Sequence, residues 1–86
     1  MNYAYFDFVT KAPGARVVTE LQGVESDVLL LDDVNYRAFK AGRGYKYAGG
    51  HYKKSPVRLA VPSAGSWHVV VIPLGGKVRA KFSVIP

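Results

Sequence analysis

Residues 57–84 read VRLAVPSAGSWHVVVIPLGGKVRAKFSV, and this stretch decides the fold. Val57, Leu59 and Val61 alternate with Arg58 and Ala60, so a strand with one buried face runs from Ser55 or Pro56 to Val61. Pro62-Ser63-Ala64-Gly65 then turns the chain, with proline presetting φ and glycine permitting a positive one. Trp67 to Ile72 is apolar on both faces apart from His68, the pattern of a central strand. Pro73-Leu74-Gly75-Gly76 makes a second turn. Val78, Ala80, Phe82 and Val84 form the inward side of the last strand, while Arg79, Lys81 and Ser83 point outward.

The rest of the chain follows the same grammar. Asn2 to Val9 alternates, with Ala4, Phe6 and Phe8 on one side and Tyr3, Tyr5 and Asp7 on the other. Lys11-Ala12-Pro13-Gly14 is a turn. Arg16 to Gln22 resumes the alternation, with Val17, Thr19 and Leu21 on the inward side. Gly23 to Asp27 is a polar turn, and the short apolar run from Val28 to Leu31 fits a strand covered on both faces. Tyr45 to Tyr47 predicts a brief strand ahead of a Gly49-Gly50 turn. The stretch from Asp32 to Gly44 favours a short helix near Asp33–Ala41, capped by Asp33, with Arg37 and Lys40 toward its C-terminal end and Gly42 just beyond. An irregular loop with one helical turn is the rival there. The expected architecture is all-β: an antiparallel β-sandwich, or small partly open barrel, of six to eight strands with at most one short helix. It occupies residues 1–86 as one domain.

Composition narrows the setting. Cysteine is absent, which removes disulfides and thiolate metal sites and fits a reducing compartment. Hydrophobic residues make up 49% of the chain, enough to rule against disorder. No apolar run approaches the roughly 20 residues of a membrane span. The N-terminal stretch has neither the charged start nor the cleavage site of a signal peptide. The expectation is a cytoplasmic protein with no membrane partner.

Charge is divided unevenly along the chain. All six acidic residues, Asp7, Glu20, Glu25, Asp27, Asp32 and Asp33, lie in the first 33 positions beside only Lys11 and Arg16. The remaining cations, from Arg37 to Lys81, all follow the last acid, Asp33, and the net charge is +6. A domain this small cannot hold those cations far apart, so positive potential is expected on some face. The segment from Tyr36 to Arg58 mixes cations with rings, and nucleic-acid and sugar-phosphate binders use both: cations replace counterions around phosphates, and rings stack on bases or sugars. The candidate ligand-binding residues are Arg37, Lys40, Arg43, Tyr45, Lys46, Tyr47, His51, Tyr52, Lys53 and Lys54. A solvated basic surface with tyrosines covering a small core accounts for the same residues.

Catalytic signals are thin. His51 and His68 are the only imidazoles. A triad with Asp32 or Asp33 and Ser55 or Ser66 has no nucleophile elbow behind it. No ligand spacing recommends a metal, and His68, inside an apolar strand, reads as a packed and hydrogen-bonded side chain. Gly42-Arg43-Gly44 and Gly49-Gly50-His51 match no phosphate-loop pattern. No enzymatic activity, metal or cofactor is expected.

Three stretches together resemble a small bacterial family of domains of unknown function, number eighteen-eighty-three. They are Leu31 to Gly42 (LDDVNYRAFKAG); Tyr47-Ala48-Gly49-Gly50-His51 with Ser55-Pro56; and Val61 to Val71 (VPSAGSWHVVV). The likeness covers the C-terminal two-thirds; the first thirty residues match only in pattern. A strand like Trp67–Val71 often leads into an acidic residue in that family, whereas Ile72-Pro73 follows here, so no role for that acid carries over. The resemblance implies a compact β-rich domain found alone or beside TIR domains, and thus sensing or regulation. The expected function is a non-enzymatic binding or sensor module for an anion, whether nucleotide, nucleic acid or another phosphorylated molecule. The alternative is a protein-interaction or self-association domain, with a homodimer or a TIR-type signalling protein as partner.

Overall fold

The computed structural model describes residues 3–11 and 13–86. Asn2, in the expected first strand, and Ala12, in the expected first turn, lie outside the described residues. Seven strands and one helix follow in order: β1 (Ala4–Thr10), β2 (Arg16–Gly23), β3 (Ser26–Asp32), α1 (Asp33–Lys40), β4 (Ala48–Tyr52), β5 (Val57–Ala60), β6 (Gly65–Pro73) and β7 (Val78–Ile85). They form a four-stranded sheet, β1-β6-β3-β4, facing a three-stranded sheet, β5-β2-β7. Every pairing is antiparallel. The expected sandwich is the observed one, and it does not close into a barrel. No described helix is long and apolar enough to cross a membrane.

The alternations read from the sequence become the two faces of each strand. Val17, Val28, Leu30, Val57, Leu59, Val69 and Val71 meet between the sheets, and Phe8, Trp67, Phe82 and Val84 pack around them. Phe6 joins this layer by stacking on Phe82 at 5.2 Å. Each fully buried valine or leucine contributes roughly 1.5–3 kcal/mol through the apolar area removed from water. The two continuous apolar runs sit where such runs belong: β6 lies between β1 and β3, and β3 between β6 and β4.

The outer face of the larger sheet is covered by α1. Tyr36 and Phe39 are buried there against Leu29, Leu31 and Val70, with Tyr3, Tyr45 and Ile72 at the margin. Eight residues are too few to hold a helix in water, so this packing sustains it.

Three sequence expectations need correction. The expected turn from Gly23 to Asp27 narrows to Val24-Glu25, because Gly23 ends β2 and Ser26 and Asp27 open β3. The helix is capped by Asp32, one residue before the expected Asp33. Asp32 is the last residue of β3 and has extended backbone, as a capping residue must. The Gly49-Gly50 pair is not a turn after a Tyr45–Tyr47 strand; both glycines lie inside β4, and residues 43–47 are irregular. Gly49 has φ +113°, and a Cβ there would run into the Val28 carbonyl of β3. Glycine is in the strand because β4 approaches β3 more closely than a side chain allows.

Candidate functional site

Helix α1 and the segment after it hold most of the cations and rings singled out above. At the N-terminus of α1, the Asp32 carboxylate accepts from the Asn35 backbone N–H at 2.9 Å and from its side-chain amide at 2.8 Å. The Asn35 side-chain oxygen in turn accepts from the Lys46 N–H at 2.8 Å, which ties the following segment to the helix. At the other end Gly42 takes φ +74°, and the Arg43 N–H donates to the Ala38 carbonyl at 2.9 Å. Tyr45 meets Phe39 edge-on at 5.3 Å, and Tyr47 tilts against Tyr45 at 5.8 Å. The Lys40 ammonium lies 4.6 Å from the Tyr36 ring centre.

The fold thus gathers Arg37, Lys40, Arg43, Tyr45, Lys46 and Tyr47 around α1, all exposed except the half-buried Tyr45. The other four candidates lie elsewhere. Tyr52 points inward and packs against the core between the sheets. His51 points outward from β4, and Lys53 and Lys54 stand exposed in the turn leading to β5. Arg58, at the end of the basic segment, projects from the opposite sheet.

Both histidines sit between two carboxylates. His68 Nδ1 is 2.7 Å from Asp7 on β1, and its Nε2 is 2.5 Å from Asp33 on α1. Carboxylate oxygens only accept, so both contacts are hydrogen bonds when both ring nitrogens carry protons. The imidazole also stacks on Tyr36 with centres 4.1 Å apart. This one side chain joins β6 to β1 and α1, in keeping with the packed, hydrogen-bonded histidine that the sequence suggests. Burial pushes the Tyr36 hydroxyl up to about 12, with the nearby Tyr3, Asp7 and Tyr5 adding to the shift.

His51 repeats the arrangement in the open. Its Nδ1 is 2.9 Å from Asp27, its partner across the β3–β4 ladder, and its Nε2 is 3.4 Å from Glu25. The bond to Asp27, helped by Glu25, raises its pKa above 6.5. Because the folded value is the higher one, the stabilisation is complete below pH 6.5 and fades as pH rises through the folded value. An NMR titration should give His51 a midpoint above that of a histidine peptide, and Asp27→Asn should bring it down. A wild-type midpoint at the peptide value would refute the assignment.

Five of the six carboxylates are therefore engaged by histidines or by the helix cap. Asp7 and Asp33 serve His68, Asp27 and Glu25 serve His51, and Asp32 caps α1. Glu20 faces Lys81 across the β2–β7 ladder without closing to an ion pair. Among the described residues, no lysine or arginine lies within 4.0 Å of a carboxylate. The cations keep their charge toward solvent. Sequence reasoning missed both histidine clamps. Each histidine lies directly across a ladder from an aspartate, His51 from Asp27 and His68 from Asp7, and only strand register reveals it.

The chain belongs to the family described as Domain of unknown function (DUF1883), whose model matches residues 1–85. The match takes in the N-terminal strands as well as the stretches whose motifs carried the resemblance. Neither the curated proteins nor the solved structures contain a match to this chain.

Proposed function

We propose that this member of the DUF1883 family is a non-enzymatic binding module that takes single-stranded nucleic acid on the surface formed by α1 and residues 41–47. The observation that carries the reading is a set of cations left without carboxylate partners beside accessible rings. Arg37, Lys40, Arg43 and Lys46 would replace counterions on the phosphates. Tyr47, 52% exposed, would stack a base, with Tyr45 behind it. A catalytic role for either imidazole finds no support, since carboxylates already occupy both nitrogens of each. Self-association through acidic strands meeting basic ones is the weaker reading, because the acids those strands supply are mostly engaged within the chain.

The test is a titration of labelled single-stranded RNA and DNA at 50 and 200 mM salt, concentrations chosen to be about fourfold apart. Four phosphate contacts give a slope near −2.8, so affinity should fall about 50-fold between the two. Tyr47→Ala should cost about 1–3 kcal/mol of binding. Absence of binding at the lower salt, or binding indifferent to salt, would overturn the proposal.

A further inference from the structure

The second sheet carries a feature that the α1 surface does not explain. Strand β7 pairs with β2 along its whole length, from Arg16 to Gly23, whereas β5 pairs only with Arg16 to Thr19. Beyond Thr19 the β5 side of β2 has no strand. Ser55 stands there instead, its oxygen accepting from the Leu21 N–H at 2.8 Å. The result is a cleft of about 650 Å³ lined by Glu20, Gln22, Ser55, Arg79 and Lys81 together with Leu21 and Ala80.

The lining has a definite chemistry. Arg79 and Lys81 alternate on the outward side of β7, about 6.8 Å apart along the strand. Neither is within 4.0 Å of a carboxylate. A guanidinium fork beside an ammonium suits a phosphate group. Directly across the ladder, Glu20 faces Lys81 and Gln22 faces Arg79. A carboxylate that accepts and an amide that both donates and accepts are the groups that hold sugar hydroxyls. Ser55 uses its oxygen on Leu21, which leaves its own proton to donate outward. No ring lines the cleft, so a nucleobase would find nothing to stack on. The volume falls within the ordinary range for small-molecule sites, roughly 300–1,000 Å³.

We propose that this cleft binds a small sugar phosphate, with Arg79 and Lys81 on the phosphate and Glu20 and Gln22 on the sugar hydroxyls. The site lies on the opposite sheet from α1 and stands independently of the nucleic-acid reading.

Amide NMR titrations of the full chain with ribose 5-phosphate, inorganic phosphate and ribose test it. Ribose 5-phosphate should shift residues 20–22, 55 and 79–81 and saturate below ~1 mM, with phosphate and ribose each at least about tenfold weaker. Arg79→Ala should weaken it at least about tenfold while the spectrum stays dispersed. Glu20→Gln should narrow the preference over inorganic phosphate. Three results would each overturn the proposal: no saturable shift, shifts confined to residues 37–47, or equal affinity for inorganic phosphate.

Discussion

Gly49→Ala is expected to remove about 3–5 kcal/mol of stability, a large part of the total for a domain this size. Two costs combine. The backbone at φ +113° is one that residues with a Cβ rarely adopt, at about 1–3 kcal/mol. The added methyl would also collide with the Val28 carbonyl, with its carbonyl carbon only 3.2 Å away and the Leu59 side chain 3.5 Å away. Val28 lies in a strand paired on both sides and is fully buried, so its backbone cannot retreat. Gly50 supplies the control: it has no positive φ, and nothing lies within 4 Å of a Cβ built on it. Its alanine variant should stay within about 1 kcal/mol of the parent and can gain by restricting the unfolded chain. Urea unfolding of the two variants side by side measures the difference. Equal midpoints would show that β4 has room where the structure leaves none.

Phe39→Ala is expected to cost about 3–5 kcal/mol, the usual range for emptying a buried phenylalanine site. Phe39 is 6% exposed and touches three rings: Tyr3 edge-on at 5.2 Å, Tyr45 edge-on at 5.3 Å and Tyr36 at 6.4 Å. Without it Tyr36 would be the one buried side chain left on the two-turn helix. The Tyr45–Tyr47 pair, which leans on Phe39, would lose its backing. Val34 lies on the same helix and is 73% exposed, so Val34→Ala should change little. Thermal melts of both variants decide the matter. A Phe39→Ala protein melting with the parent would mean that α1 is held by something other than its buried face.

The same contacts bear on the nucleic-acid surface proposed for α1. Arg37 and Lys40 ride on a helix fixed by a cap, a buried ring pair and the His68 clamp, and Arg43 and Lys46 follow in a segment hydrogen-bonded back to that helix at Ala38 and Asn35. Ordering a loop on binding would cost roughly 1–2 kcal/mol per residue, and this arrangement avoids much of that.

Period-two alternation and turn residues were enough to place the faces of β1, β2, β5 and β7, because an outward lysine or arginine and an inward valine differ strongly in transfer energy. The continuous runs in β3 and β6 announced burial on both faces. The helix was legible from its aspartates and Gly42, but the reading placed the cap on Asp33, one residue after the Asp32 that holds it. Local pattern failed at β4. Two adjacent glycines carry the same signal whether they turn a chain or let two backbones come close, and only the neighbouring β3 tells the two apart.

The charge division was likewise plain in the sequence, but its consequence was not. Which carboxylate meets which cation depends on strand register, a relation between residues far apart in the chain that no local preference encodes. Pairing β1 with β6 sets Asp7 beside His68, pairing β3 with β4 sets Asp27 beside His51, and the seat of α1 brings Asp33 to His68 from the other side. Composition alone determined that cations outnumber acids. The tertiary structure decided that five of the six acids turn to the histidines and the helix cap, leaving the lysines and arginines facing water.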